Sequence, residues 1–327
     1  MKILVVGGVG YIGSHMIKRF KGTKYQIEIL DNLSSGQESN ALNYKLHICD
    51  LSDKKSVHKI LLENNYDLVM HFAASINVEE SYNNPEKYKQ NNIVNTINLL
   101  DCMRELKINR FIFSSSAAVY GEPVIIPINE QHSLSPVNPY GETKAKVEKM
   151  LRNYDESYGL KYVSLRYFNA CGAHLDGTIG EMHDPETHLI PLILQAASGR
   201  RKNINIFGND HPTPDGTCVR DYVHVMDIVE AHILAMENLI NTNQSQIFNI
   251  GNNKGFSVKQ IIQTAKDVTN IEIPVEILKK RKGDPAQLIA DNKKIVKKLS
   301  WQPKYSDLET IIKTAWNWEK KLKNSIN

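Results

Sequence analysis

Tyr140 and Lys144 stand four residues apart in Tyr140-Gly141-Glu142-Thr143-Lys144, so on a helix both side chains leave one face about a turn apart. A phenol titrates near ~10 in water, too high for a base at neutral pH, but a neighbouring cation favours the phenolate. Lys144 would supply that charge, although ordinary surface pairs on helices share the spacing. A second element lies upstream, where the apolar run Phe111-Ile112-Phe113 passes into Ser114-Ser115-Ser116. Ligands of α/β sheets bind beyond the carboxyl ends of the strands, where Ser116 can hold a reacting oxygen. Serines there also satisfy backbone groups or cap a following helix.

Such a constellation needs elements to position it, and the first is a glycine turn. Gly7-Gly8-Val9-Gly10-Tyr11-Ile12-Gly13 follows an apolar run and opens a helical pattern, the setting a dinucleotide fingerprint requires. Gly7 and Gly10 permit the turn and close approach to a pyrophosphate. Gly13 seats the helix on the sheet, and the helix N-terminus at Tyr11 and Ile12 offers N–H groups and positive dipole. The next strand ends in Asp31, at about the spacing where a carboxylate accepts from the adenosine ribose hydroxyls and repels a 2′-phosphate. NAD is therefore the expected cofactor, and oxidised nicotinamide adds a second positive charge favouring a Tyr140 phenolate.

Short β-branched runs alternate with longer mixed segments through the first half, the pattern of a parallel sheet buried on both faces. Strands are expected at 3–6, 27–30, 45–48, 68–72, 110–113 and 162–165, with helices at 11–20, 54–63, 86–106 and 140–158. The fold class is α/β, a Rossmann-type doubly wound parallel sheet. After Asn169, Gly, His, Pro and Asp become frequent, and long loops of that kind are usually functional. The expected division is a dinucleotide-binding domain over 1–169 and a smaller, loop-rich substrate domain over 170–327, with 221–251 returning to the first through a helix at 227–236 and a strand at 246–251.

The chain has 327 residues, 41% hydrophobic and 23% charged, with 40 Lys and Arg against 36 Asp and Glu, a net charge of +4. That balance is globular and too small for a nucleic-acid footprint. The late basic runs, 279–282 and 293–298, read as solvated surface. Cys49, Cys102, Cys171 and Cys218 form no paired motif, so neither disulfides nor a metal is expected, and the cytoplasm fits best. The N-terminal apolar run is too short for a signal, and no run approaches ~18 apolar residues.

On these residues the chain resembles the extended short-chain dehydrogenase/reductase family and, within it, the UDP-glucose 4-epimerases. The likeness runs through the glycine turn, Asp31-Asn32-Leu33, His71-Phe72-Ala73-Ala74, Ser114 to Gly121, Asn138-Pro139-Tyr140-Gly141, Arg166-Tyr167-Phe168-Asn169, the 215–225 stretch and Gly283-Asp284. It implies that Tyr140 removes the proton of the sugar 4-hydroxyl, that Ser116 hydrogen-bonds that oxygen, and that Lys144 binds the nicotinamide ribose while lowering the pKa of Tyr140. Hydride would leave C4 for NAD and return to the other face of a transient 4-keto sugar. The implied cofactor contacts extend to Asp31, Asn32, Asp50, Leu51, Phe72, Ala73, Ala74, Asn92, Ser114 and Phe168. The implied UDP-sugar contacts are Asn169, His188, Leu189, Phe207, Arg220, Arg281, Asp284 and Leu288. Two arginines from separate segments suit a pyrophosphate, which they grip with forked, charge-assisted hydrogen bonds.

Four positions bear on the choice among relatives. Dehydratases and decarboxylases resembling this chain carry an acid just before Val-Tyr-Gly, where Ala118 stands here, so elimination lacks its acid/base partner. Ile76 and His188 replace a lysine and an asparagine of many or some 4-epimerases. Leu288 falls at a sugar-pocket gate that is tyrosine in members confined to unacetylated sugars, which implies action on UDP-GlcNAc and UDP-GalNAc as well. A 4-epimerase of UDP-uronic acids or UDP-pentoses stays open, as does a non-catalytic NAD-binding sensor. The resemblance also implies a homodimer through helices 86–106 and 140–158.

Overall fold

The computed structural model describes residues 1–281 and 285–326. Strands are numbered along the chain. In β1 (Lys2–Val6), Ile3 to Val6 are fully buried, which requires cover on both faces. β1 pairs in parallel with β2 (Gln26–Asp31) on one side and β4 (Leu68–His71) on the other. With β3 (Lys45–Ile48), β5 (Arg110–Ser116), β6 (Lys161–Tyr167) and β10 (Gln246–Ile250) they form a seven-stranded sheet, order β10-β6-β5-β4-β1-β2-β3. After β3 the chain returns to the far side of β1, so the switch point lies at the carboxyl ends of β1 and β4, where ligands bind in such sheets.

Helix ends follow local chemistry. The helix Pro139–Tyr158 starts where the Asn138 side chain accepts from Gly141 N at 2.8 Å and Pro139 occupies the first turn, and it ends at Gly159 with φ 71°, the backbone that glycine adopts without strain. The helix expected at 86–106 is instead Pro85–Tyr88, a π-helical turn Lys89–Val94 and Asn95–Glu105. β5 runs past the expected Phe113 to Ser116, because Ser115 has a partner for its hydroxyl, Glu148 Oε1 at 2.6 Å.

The chain forms two compact units. The first comprises residues 1–121, 133–166 and 231–248, with a core including Leu4, Val69, Leu100, Phe111, Phe113 and Leu151. The second comprises 122–132, 167–230 and 249–327. Its strands are β7 (Asn169–Cys171), β8 (Ile204–Phe207), β9 (Val219–His224), β11 (Gly255–Ser257), β12 (Val275–Leu278) and β13 (Gln287–Leu288). β9 pairs with β7, β11 and β13, and β8 pairs with β12. Residues 122–132 belong to the second unit because Ile128, fully buried, exchanges backbone hydrogen bonds with Ile289 and Asp291 at 2.8 Å each. The stretch returning to the first unit is 231–248, within the helix Val225–Thr242 and β10. Cys49, Cys102, Cys171 and Cys218 are free thiols. No helix among the described residues is long and apolar enough to cross a membrane.

Candidate active site

The turn after β1 depends on its glycines. Gly7 has φ 74°, and a Cβ there would meet Ala73 N at 2.5 Å; a Cβ on Gly13 would meet Gly7 O at 2.1 Å. Gly10 precedes the helix Tyr11–Arg19, whose N-terminus no side chain caps, leaving the helix end available to an anion. The Phe72–Ala74 segment packs against this turn, with Phe72 N donating to Val6 O at 2.8 Å. Asp31 is buried and accepts from Val9 N at 3.2 Å and Leu33 N at 2.9 Å. Burial raises its pKa against those donors. Asn32 Nδ2 donates to Asp50 Oδ2 at 2.5 Å, and despite burial the hydrogen bonds from Ser52 and Asn32 hold Asp50 below the usual carboxylate range. Leu51 lies in the core of the first unit. A glycine turn at an uncapped helix end, with an acid at the end of β2, fits the pyrophosphate and ribose of NAD.

Asn92 sits on the π-helical turn, a feature frequent at functional sites. Its buried amide accepts from Ser75 N at 2.8 Å and donates to Ser75 O at 2.9 Å and Thr143 Oγ1 at 3.2 Å. Thr143 in turn donates to Tyr140 O at 2.7 Å. Asn92 thus ties the segment after β4 to the first turn of the helix that carries Tyr140.

The structure brings Ser116, Tyr140 and Lys144 together in the first unit. Ser116 ends β5 and accepts from Ala118 N at 3.2 Å. Burial raises the pKa of Tyr140, opposed by the Ser116 hydroxyl, which favours the phenolate. Lys144 is 3% exposed, donates from Nζ to Ser114 O at 2.8 Å and lies 5.8 Å from the Tyr140 ring centroid. Burial lowers its pKa to about 7, although the Glu148 carboxylate favours the ammonium. The sequence reading missed Glu148. It stands four residues after Lys144, on the same face, and accepts from Ser115 and Arg166. That i,i+4 spacing was the available signal.

The nucleotide candidates lie in the second unit. Phe207 ends β8, and the Arg281 guanidinium stacks on its ring at 3.7 Å from the centroid. Arg220 and Leu288 are paired across β9 and β13, with Arg220 Nη1 donating to Val219 O at 2.9 Å. Asn169 Nδ2 donates to Asp221 O at 3.1 Å, and Phe168 N donates to Ile250 O at 3.0 Å. Asp284 lies outside the described residues. His188 precedes the helix Leu189–Ser198, and its Nδ1 approaches Glu181 Oε1 at 2.8 Å and Glu186 Oε1 at 2.9 Å. Against burial, these carboxylates raise His183 to about 9 and His188 to about 10. The sequence reading expects His188 at the nucleotide and no metal; its convergence with Glu181, His183 and Glu186 was invisible to a reading confined to cysteine spacing.

The fold and the glycine turn define a dinucleotide-binding protein, with Ser116, Tyr140 and Lys144 as its candidate centre. The chain belongs to the NAD dependent epimerase/dehydratase family, whose model matches residues 3–251. It is 49% identical over 320 residues, 98% of this chain and 96% of the other, to a UDP-glucose 4-epimerase of Halalkalibacterium halodurans. Among solved structures it resembles UDP-glucose 4-epimerase from Brucella ovis in complex with NAD, with TM-score 0.94 and 44% identity over 96% of this chain and 97% of that one. It also resembles the UDP-Glc/GlcNAc 4-epimerase of Campylobacter jejuni, with TM-score 0.86 and 44% identity over 98% and 99%.

Proposed function

We propose that this protein is a NAD-dependent 4-epimerase interconverting UDP-glucose and UDP-galactose. The observation that carries the reading is the placing of Tyr140 and Lys144 one turn apart on one helix, with the Ser116 hydroxyl favouring the phenolate, in a chain 49% identical to a relative named for that activity. NAD, when bound, supplies the acceptor and donor of the C4 hydride. The chain handles the proton. Tyr140 takes it from the 4-hydroxyl, Ser116 holds the same oxygen, and Lys144 supplies the charge that makes the phenolate accessible. Tyr140 returns the proton once the opposite face of the sugar is presented. Ala118 leaves no carboxylate to divert the oxidised sugar into elimination. Arg220 and Arg281 suit the UDP pyrophosphate, and the Phe207 ring holds Arg281 by a cation–π contact.

The range extends to UDP-GlcNAc and UDP-GalNAc. Half-buried Leu288 opposite Arg220 supports this, as does the likeness to the Campylobacter jejuni UDP-Glc/GlcNAc 4-epimerase. The assembly is a homodimer through the segments 86–106 and 140–158, on which Tyr158 stays exposed; light scattering on the purified chain tests it. Four free thiols suit the cytoplasm.

An NMR time course with UDP-galactose and UDP-GlcNAc in separate tubes, without added NAD, tests the reaction. Conversion of both to C4-epimer mixtures is expected. Conversion of UDP-galactose alone removes the N-acetyl range, and conversion of neither overturns the reading in favour of uronic-acid or pentose substrates or a non-catalytic NAD binder.

A further inference from the structure

Four side chains of the second unit meet in a cluster that the proton chemistry above does not use. In Glu181-Met182-His183-Asp184-Pro185-Glu186-Thr187-His188, the two glutamates and two histidines each offer one ligand atom, all within 4.8 Å of one another. His188 Nδ1 lies 2.8 Å from Glu181 Oε1 and 2.9 Å from Glu186 Oε1. His183 Nδ1 lies 3.2 Å from Glu181 Oε1 and 3.8 Å from Glu186 Oε2. We propose that Glu181, His183, Glu186 and His188 form a tetrahedral site for a divalent cation of the zinc class, which fixes the segment leading into the helix Leu189–Ser198.

The spacing carries the inference. Zinc held at ~2.0 to 2.1 Å by four N and O ligands places them ~3.3 Å apart by tetrahedral geometry; His183 Nδ1 and His188 Nδ1 lie 3.2 and 2.8 Å from the same Glu181 oxygen, and all four ligand atoms lie within 4.8 Å of one another. An ion at the centre draws the wider-spaced ligands inward. The donor set selects the metal. Calcium and magnesium take oxygen shells of six or more ligands, whereas two imidazoles and two carboxylates suit zinc. Two carboxylates also cancel the charge of a divalent ion, so a shielded site needs no further counter-ion.

Burial and outer contacts agree with a built site. Both carboxylate side chains are 6% exposed, while His188 at 40% leaves a path for the ion. Glu186 Oε1 accepts from Thr187 N at 2.8 Å and His188 N at 2.9 Å, and Trp318 Nε1 donates to Glu181 O at 2.8 Å, fixing the ligands as outer-shell contacts do. Four protein ligands close the shell, so the ion is structural and activates no water. It joins residues 181 and 188 into a staple eight residues long that pins the start of the helix beginning at Leu189.

The test uses the whole purified chain, stripped with a chelator and titrated with Zn²⁺ or Co²⁺. The expected result is one ion per chain by elemental analysis, intense tetrahedral Co²⁺ visible bands without a thiolate charge-transfer band, and a higher unfolding temperature with Zn²⁺. His183→Ala and Glu181→Gln should lose the stoichiometric ion, the bands and the thermal gain together. Weak octahedral bands, a thiolate band or no stoichiometric ion in the wild type overturns the proposal, as does an ion retained by folded His183→Ala. Should both variants fail to fold, the wild-type Co²⁺ spectrum decides alone. The readouts are independent of epimerisation, so an inactive protein that binds the ion leaves this site standing.

Discussion

Glu148 grips the guanidinium of Arg166 with both carboxylate oxygens, Oε1 at 2.9 Å from Nε and Oε2 at 2.5 Å from Nη2, with each side chain 3% exposed. Ser115 donates to the same carboxylate and Arg166 to the Tyr120 hydroxyl at 2.8 Å, so β5, β6 and the catalytic helix share one buried network. Removing one partner strands the other's charge. Glu148→Gln should destabilise by about 3–5 kcal/mol, read as a lower denaturant midpoint, and a Glu148→Met, Arg166→Met double variant should recover part of that loss. A Glu148→Gln midpoint equal to wild type would contradict the network's role.

Tyr140→Phe removes the proposed base and leaves the glycine turn untouched. Turnover should fall by about 10²–10⁴, while NAD released on denaturation stays at the wild-type amount. Unchanged turnover would dismiss Tyr140 as the base.

Burial raises the pKa of Tyr140, so at low pH its phenol keeps its proton and offers no base, and a charged Lys144 eases the loss of that proton. The kcat/KM profile should therefore lose about tenfold per pH unit on its acid side. Lys144→Met should move that limb upward, since the phenol is left with its own raised pKa. Stability follows with a definite sign. The pKa of Lys144 falls from 10.5 to about 7 on folding, so between these values the unfolded chain binds more protons. The cofactor-free protein should gain stability as pH rises through that window and lose the gain below it; unfolding midpoints across pH check this.

Gly13→Ala should cost both fold and cofactor. The added Cβ would lie 2.1 Å from Gly7 O and 2.8 Å from Gly8 Cα, and this backbone, tied to β1 and β2 by Gly7 N on Leu30 O at 2.8 Å, has little room to retreat. A loss of about 1–3 kcal/mol and of bound NAD is expected, checked by thermal unfolding and absorbance of the released nucleotide.

Leu288→Tyr tests the proposed sugar gate. It should abolish turnover of UDP-GlcNAc and preserve that of UDP-galactose, followed by NMR in parallel. Equal loss on both sugars would assign the residue a structural part instead.

The glycine turn, the six strands of the first half and the catalytic helix were legible because local signals agree with the tertiary setting: apolar runs at strand length, Asn138 as cap and Gly159 as stop. The π-helical turn at 89–94 was not, since its α-helical pattern is uninterrupted in sequence and Asn92 makes its bonds to residues 17 and 51 positions away. Residues 122–132 fell inside the expected 1–169 domain, because one buried Ile128 among exposed neighbours leaves no periodicity that assigns them elsewhere. The Glu181–His188 cluster needed the loop's actual course: its ligands are near in sequence, but loop residues have no fixed face.

The chain passes between its two units at 121/122, 132/133, 166/167, 230/231 and 248/249. On the ribosome this sets an order of assembly. β6 is made early but lacks its outer neighbour β10 until residue 250 has emerged, and an unpaired edge strand invites association with other chains. Throughout the synthesis of 168–245 β6 stands as the outermost strand in place of β10, and any truncation before residue 246 leaves it there.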